Sequence, residues 1–138
     1  RPAHLYRAIL EGIAFEQRLS LEGVEQATGQ RVERLVAIGG GARSDLWCQI
    51  IGDVTGRPIF RSTSQETAAL GAALIAAPAA GLYSDIRQSV ENMTHTLPQP
   101  IYPNLYRQEV YSRLYDGVYR PLFPALQPLL DRLADICS

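Results

Sequence analysis

The segment Ile38-Gly39-Gly40-Gly41-Ala42-Arg43-Ser44-Asp45 is the part of the sequence that most strongly indicates a fold class. Before it lies a short, β-branched apolar run, residues 34–38, which predicts a buried strand. After it, large apolar side chains recur at helical spacing, and Ser44 is suited to cap the helix that they predict: Trp47, Ile50, Ile51 and Val54. A strand that turns through three glycines into a helix is typical of an α/β fold.

A second short strand is predicted at residues 58–60, after Gly56 and Pro58 end the helix of residues 45–55. Two strands joined through a helix are expected to lie parallel and adjacent, with a right-handed crossover. Residues 1–138 are therefore predicted to form one α/β domain. Two strands are few for such a domain, and we expect the missing strands to precede Arg1, with a bare sheet edge as the result.

Helical sequence patterns lie before and after the predicted strand–helix–strand unit. The first runs from Leu5 to about Ala27, where Gly29 is a suitable stop. Residues 63–66 match a capping box and predict a helix from residue 67 to about residue 77. Residues 93–96 carry a weak strand signal. The tail, residues 105–136, is helical in pattern, but three prolines predict breaks or kinks: Pro121, Pro124 and Pro128.

The composition is that of an ordinary globular domain, with 46% hydrophobic and 20% charged residues. The formal net charge of −1 gives no electrostatic attraction to nucleic acid, and no apolar run is long enough to span a bilayer. Cys48 and Cys137 form neither a disulfide framework nor a metal motif, so a reducing cytoplasm is expected. Arg1 is not a methionine, which suggests a fragment of a longer chain.

The glycine stretch also carries the chemistry. Glycine lets a ligand approach the backbone closely, and the N-terminus of the following helix favours phosphate through its N–H groups and its dipole. Residues 39–44 are therefore the candidate nucleotide-binding set: Gly39, Gly40, Gly41, Ala42, Arg43 and Ser44. A tight strand-to-helix turn without a ligand is the alternative.

Three segments together resemble the FGGY carbohydrate kinase family, its C-terminal domain in particular. They are residues 7–15, residues 39–56 and the small-residue helix signature at residues 69–73. Gly52 stands where alanine is commoner in that family. The pair Trp47 and Gln49, and residues 119–126, look most like the xylulokinase branch.

This resemblance implies a C-terminal actin-like ATPase fold, of the ribonuclease H-like kind, truncated at its N-terminal strands. It implies ATP and Mg²⁺ as cofactors and a small sugar, held mainly by a preceding domain, as substrate. Gly40 and Gly41 would approach the ATP phosphates and Ser44 the adenosine, while Arg43 would lie over the adenine or point to solvent. No residue matches the family's general-base aspartate, so no catalytic residue is expected here, and the fragment alone should be inactive. A homodimer is compatible with this pattern.

Two rival functions are open. In an NADP-binding dinucleotide domain, Arg61 would meet the 2′-phosphate, although Ser44 replaces the third glycine of that motif. A non-catalytic actin-like nucleotide-binding module is the other.

Two further features, three tyrosines in the tail and one aspartate, each allow a functional and a structural interpretation. The tyrosines 111, 115 and 119 suit a packing stripe better than a base-stacking platform. Asp53 suits a solvated or capping carboxylate better than a site residue.

Overall fold

A computed structural model describes residues 1–64 and 66–137. Its centre is a parallel pair of strands, β1 (Leu35–Ala37) and β2 (Ile59–Arg61), paired in register from Leu35 with Ile59 to Ala37 with Arg61. Helix α2 (Asp45–Thr55) connects them. The predicted strand–helix–strand unit, with parallel and adjacent strands, is confirmed.

The bounds of α2 follow from local signals at both ends. The side chain of Ser44 accepts a hydrogen bond from the N–H of Trp47 at 3.2 Å, which satisfies one of the donors left free at a helix start. At the other end Gly56 has a φ of 67°, a left-handed conformation that glycine adopts without steric cost. Gly29 ends the long first helix, α1 (Pro2–Thr28), in the same way with a φ of 66°.

Helix α3 (Thr67–Ala79) is present, but the predicted capping box is wrong. Glu66 is the N-cap and its side chain makes no capping hydrogen bond, while Gln65 lies outside the described residues. The hydroxyl of Thr63 donates to the carbonyl of His95 at 3.2 Å instead. Thr63 is thus held by the segment at His95, and α3 begins four residues after it, at Thr67.

The strand predicted at residues 93–96 is wrong, because a helix, α4 (Ile86–Met93), ends there. Asp85 caps α4 by accepting a hydrogen bond from the N–H of Gln88 at 2.8 Å. Thr96 forms an isolated antiparallel bridge to Ser62, beside which the carbonyl of His95 accepts from the N–H of Thr63 at 3.0 Å. A second such bridge joins Ile101 to Ile59, so the residue 95–101 segment covers the outer edge of β2.

The tail forms helix α5 (Leu105–Leu114), a π-helical segment (Tyr115–Tyr119) and helix α6 (Arg120–Cys137). Pro121 lies in the first turn of α6, and the helix continues through Pro124 and Pro128, so the expected breaks do not occur there. Each of these prolines removes one backbone donor. All of α6 is exposed, so the carbonyls left without that donor can bind water, which lowers the cost of keeping the helix.

The core lies where α1, α2 and the tail meet β2. Its buried members are Ala14, Phe15, Cys48, Ile50, Ile51, Val54, Ile59, Tyr111 and Tyr115. Among the described residues, none of the helices is long and apolar enough to span a membrane.

The predicted tyrosine packing stripe is confirmed. Three rings, those of Tyr111, Tyr115 and Tyr119, surround Phe15 with centroid distances of 6.0, 6.0 and 5.0 Å. In an α-helix, residues four apart lie slightly past one full turn. The wider π turn offsets this drift, which keeps Tyr119 on the same face as Tyr111.

Candidate functional site

The carboxyl ends of β1 and β2 meet at one edge of the sheet because the two strands run parallel. There the chain leaves β1 through Gly39, whose φ of 73° and ψ of −168° are accessible in practice to glycine alone. A short 3₁₀ turn follows, Gly40–Arg43, in which the N–H of Ala42 donates to the carbonyl of Gly39 at 3.2 Å. We call residues 39–42 the glycine loop. It directs the chain into α2.

A cavity of about 320 Å³ lies beside the glycine loop and the end of β2. Among the described residues, its lining contains two arginines and three hydroxyl side chains and no carboxylate: Gly39, Ala42, Arg43, Arg61, Ser62, Thr63, Ser64 and Leu97. Cations and hydroxyl donors without a carboxylate favour an anionic ligand. The carboxyl end of parallel strands is also where open α/β sheets bind their ligands.

The six predicted site residues divide between several environments. Gly39, Ala42 and Arg43 line the cavity. A Cβ atom placed on Gly40 would meet no protein atom within 4 Å, whereas one on Gly41 would come within 3.2 Å of the Trp47 ring. Gly40 thus faces open space and Gly41 packs on protein.

Ser44, the sixth of these residues, has its hydroxyl oxygen engaged in capping α2. Its expected contact with adenosine therefore stays a prediction.

Arg61 contributes to the site in a way that the sequence did not reveal. Its Nη2 lies 2.8 Å from Oδ1 of Asp45, in the first turn of α2, and its Nη1 donates to the carbonyl of Ala42 at 3.5 Å. In the NADP hypothesis this guanidinium binds a 2′-phosphate, but here it is engaged by α2 and the glycine loop. The sequence singles out Arg61 only as the phosphate ligand of that hypothesis, and its contacts with Ala42 and Asp45 are not evident from sequence.

Cys48 contacts the glycine loop from the protein core. The side chain is fully buried, and its thiol donates to the carbonyl of Ala42 at 3.6 Å. Burial raises the pKa of the Cys48 thiol, which keeps it protonated and unreactive. Cys48 is therefore a small core residue. No group of acidic, histidine or cysteine side chains that could hold a metal ion exists among the described residues.

Asp53 is neither solvated nor a site carboxylate. It is 1% exposed and accepts hydrogen bonds from Gln49 Nε2 at 2.8 Å, the Asn104 N–H at 2.7 Å and Arg107 Nε at 2.6 Å. These contacts join α2 to the start of α5. Of the two expected roles, the solvated one is wrong, because the residue 102–107 segment covers the carboxylate. The capping role agrees with the hydrogen bonds that Asp53 accepts from Asn104 and Arg107 at the start of α5.

A second, larger concavity of about 650 Å³ is mainly apolar. It lies between α1 and the free side of β1, and its lining includes Ile13, Leu21, Val24, Val36, Ile38 and Trp47. We call it the apolar groove. Among the described residues that line it, Glu16 is the charged one, so they offer no cationic group to a nucleotide.

These features define a class of protein: an α/β domain whose glycine-rich loop connects a parallel strand to a helix beside a cationic cavity. Residues 1–80 match the family model described as the FGGY family of carbohydrate kinases, C-terminal domain. The chain belongs to this family.

Similar proteins carry several kinase names. The chain is 36% identical over 112 residues to an autoinducer-2 kinase of Klebsiella pneumoniae, with 81% of this chain and 21% of that protein covered. It is 41% identical over 134 residues to a ribulokinase of Mycolicibacterium smegmatis, with 93% and 23% covered. A xylulose kinase structure from Rhodospirillum rubrum superimposes with a TM-score of 0.74 at 32% identity, with 94% and 26% covered.

The superposition confirms the predicted fold class, the C-terminal actin-like domain of these kinases. The chain spans between a fifth and about a quarter of the length of these relatives.

Proposed function

We propose that residues 1–138 are the C-terminal nucleotide-binding domain of a carbohydrate kinase. In the intact protein this kinase transfers the γ-phosphate of ATP to a hydroxyl of a small sugar. The observation that carries the proposal is the cationic cavity beside the glycine loop, at the carboxyl ends of two parallel strands. Membership of the FGGY family supports the same reaction class.

The contribution of this chain is positioning and charge compensation. Phosphoryl transfer depends on holding the nucleotide in line with its acceptor and on neutralising phosphate charge. Gly39 and Gly40 leave room for close approach to the backbone, and Arg43 and Arg61 place positive charge at the cavity. These residues fit a nucleotide polyphosphate.

Magnesium is proposed to arrive with ATP. Mg²⁺ neutralises charge on the transferred phosphoryl group. The cavity lining holds no carboxylate, so the described residues provide no evident protein ligand for the ion. Phosphate oxygens, water and carboxylates elsewhere in the intact protein would hold it.

The sugar-binding residues and the general base are assigned to the remainder of the intact protein, so this chain alone should be inactive. Xylulose is the first candidate substrate, because Trp47, Gln49 and residues 119–126 look like the xylulokinase branch. Comparing kcat/KM of the intact enzyme across small ketoses and polyols tests this choice, and a clear preference for another sugar refutes it. A reducing cytoplasm is the proposed compartment, since Cys48 and Cys137 are both free thiols.

The substitution Gly40→Val tests the nucleotide assignment. An added Cβ atom at this position meets none of the described residues within 4 Å, so we expect the fold to tolerate the branched side chain, which would obstruct a phosphate close to the backbone. In the intact enzyme we expect the KM for ATP to rise about tenfold or more, equivalent to about 1.4 kcal/mol of lost binding. The KM for the sugar should stay close to that of the wild type.

Gly23→Val is the matched control. Gly23 lies on α1, outside the cavity lining, and an added Cβ atom there also meets none of the described residues within 4 Å. Steady-state kinetics should show an unchanged KM for ATP in this variant. An unchanged KM for ATP in Gly40→Val would remove the glycine loop from the nucleotide site.

A further inference from the structure

Arg61 connects three parts of the molecule that surround the cavity. It is the last residue of β2, and its guanidinium reaches both the carbonyl of Ala42 in the glycine loop and the carboxylate of Asp45 in α2. The side chain of Arg61 is 21% exposed, whereas that of Asp45 is 84% exposed. Arg61 therefore lies mostly within the protein, with its charge beside the cavity.

The carbonyl of Ala42 is fixed from two sides. The Cys48 thiol donates to it at 3.6 Å, and Arg61 Nη1 donates to it at 3.5 Å. Ala42 follows glycines in a single 3₁₀ turn, which alone restrains the backbone weakly. Contacts from β2 and α2 thus supplement the turn in holding the loop conformation.

We infer that Arg61 is a positioning residue for the nucleotide, oriented by Asp45, and the inference rests on the function proposed above. Arg61 holds the glycine loop in the shape that accepts phosphate. Its charge is only partly offset by the solvent-exposed Asp45, so it also favours a polyanionic ligand at the cavity.

This role differs from a general contribution to stability. An ion pair with one well-exposed partner adds little to the free energy of unfolding. Loss of the pair should therefore leave Tm nearly unchanged while it clearly raises the Kd of the nucleotide. The loss should also be greater for ATP than for adenosine, because only ATP carries the phosphates that meet the loop and the charge.

The experiment measures the Kd of ATP and of adenosine by calorimetry on the intact protein that contains this chain. For Arg61→Gln we expect the Kd of ATP to rise on the order of tenfold, with a smaller change for adenosine. Arg61→Lys keeps the charge and should recover part of the affinity, but not all of it, because a single ammonium cannot reach both partners as the planar fork does.

Asp45→Asn completes a double-mutant cycle. If Asp45 acts by orienting Arg61, the Asp45→Asn change should weaken ATP binding in the wild type and have little further effect in Arg61→Gln. Fully additive effects would show that Asp45 does not act through Arg61 and would overturn this part of the inference.

Arg57→Gln is the control, because Arg57 is a half-buried arginine two residues before β2 that pairs with Glu25 at 2.9 Å, outside the cavity lining. It should lower Tm at least as much as Arg61→Gln and leave both Kd values unchanged. If the wild type binds no ATP, the proposed function fails and this inference with it. If the wild type binds ATP and Arg61→Gln binds it equally well, only the inference fails.

Discussion

Asp53 shows how one buried carboxylate determines where a neighbouring helix begins. One of its oxygens accepts from the backbone N–H of Asn104, and the other accepts from Nε of Arg107. Asn104 is itself the N-cap of α5, and its side chain accepts from the N–H of Arg107 at 3.1 Å. A carboxylate and an amide thus together satisfy donors at the start of α5.

Asp53→Ala should destabilise the fold without touching the nucleotide cavity. The substitution leaves the N–H of Asn104 without its acceptor and removes the buried partner of Arg107, at a cost of about 2 kcal/mol. For a domain of this size, we expect Tm to fall by about 6 °C in thermal denaturation. Asp131→Ala, on exposed α6, is the control and should leave Tm nearly unchanged. Equal Tm values for the two variants would contradict the role given to Asp53.

Among the elements, those with local signals at both ends could be predicted from sequence. Helix α2 has Ser44 before it and Gly56 after it, and its bounds were predicted to the residue. The capping box at residues 63–66 failed because α3 begins only at Thr67, while Thr63 contacts a segment about thirty residues away, which no local pattern reveals. Helix α4 was missed although Asp85 precedes the helically spaced Ile86 and Val90, a signal that was available.

The candidate functional site could likewise be predicted from the sequence only in part. Its glycines could be predicted, since the turn requires them within a few residues. The contribution of Arg61 could not, because it depends on the pairing of β2 with β1 and on the direction of α2. Sequence patterns carry backbone geometry over short spans, whereas contacts across a sheet arise only from the tertiary fold.

The packing of the tail on α1 predicts a sensitivity to alkaline pH. Burial, together with the hydrogen bond that its hydroxyl donates to Glu22, raises the pKa of Tyr115 to about 12. Burial and the hydrogen bond to Glu16 likewise raise the pKa of Tyr119 to about 12. The folded state thus keeps protons that the unfolded chain loses near its ordinary tyrosine pKa of about 10.

The stabilising effect of these protons is fully present below about pH 10 and is lost as the pH rises through about 12. We expect the contribution of these two tyrosines to the free energy of unfolding to be constant below pH 10. The free energy of unfolding, measured by urea titration, should fall between pH 10 and pH 12. Tyr115→Phe with Tyr119→Phe should show a shallower fall over that range. An equally steep fall in the double variant would assign the effect to other groups.

In the molecule as a whole, the two edges of the sheet differ in whether their backbone groups are paired. The outer side of β2 is covered, because Ile59 and Ile101 exchange two backbone hydrogen bonds of 2.9 Å. On β1, Leu35 and Ala37 bond toward β2, so the backbone of Val36 faces the other way. Among residues 1–64 and 66–137, no strand pairs with that side of β1, and the apolar groove adjoins it.

An unpaired strand beside an apolar surface favours association with another strand. We therefore predict that the 138-residue chain by itself self-associates through β1 and the apolar groove. Sedimentation velocity over a range of protein concentrations should show a rising weight-average mass. Val36→Lys places a charge in the groove, where Val36 is 49% exposed, and should shift the chain toward monomer.

Val118→Lys is the matched control, since Val118 is 58% exposed on the π-helical segment and lies outside the groove lining. It should associate as the wild type does, because only the groove-facing charge has to be desolvated on association. Hydrogen exchange separates the remaining possibilities, since pairing through β1 must slow exchange of the Val36 amide as concentration rises. A wild-type chain that stays monomeric at every concentration would contradict the prediction, and association that Val36→Lys leaves intact would move the contact to another surface.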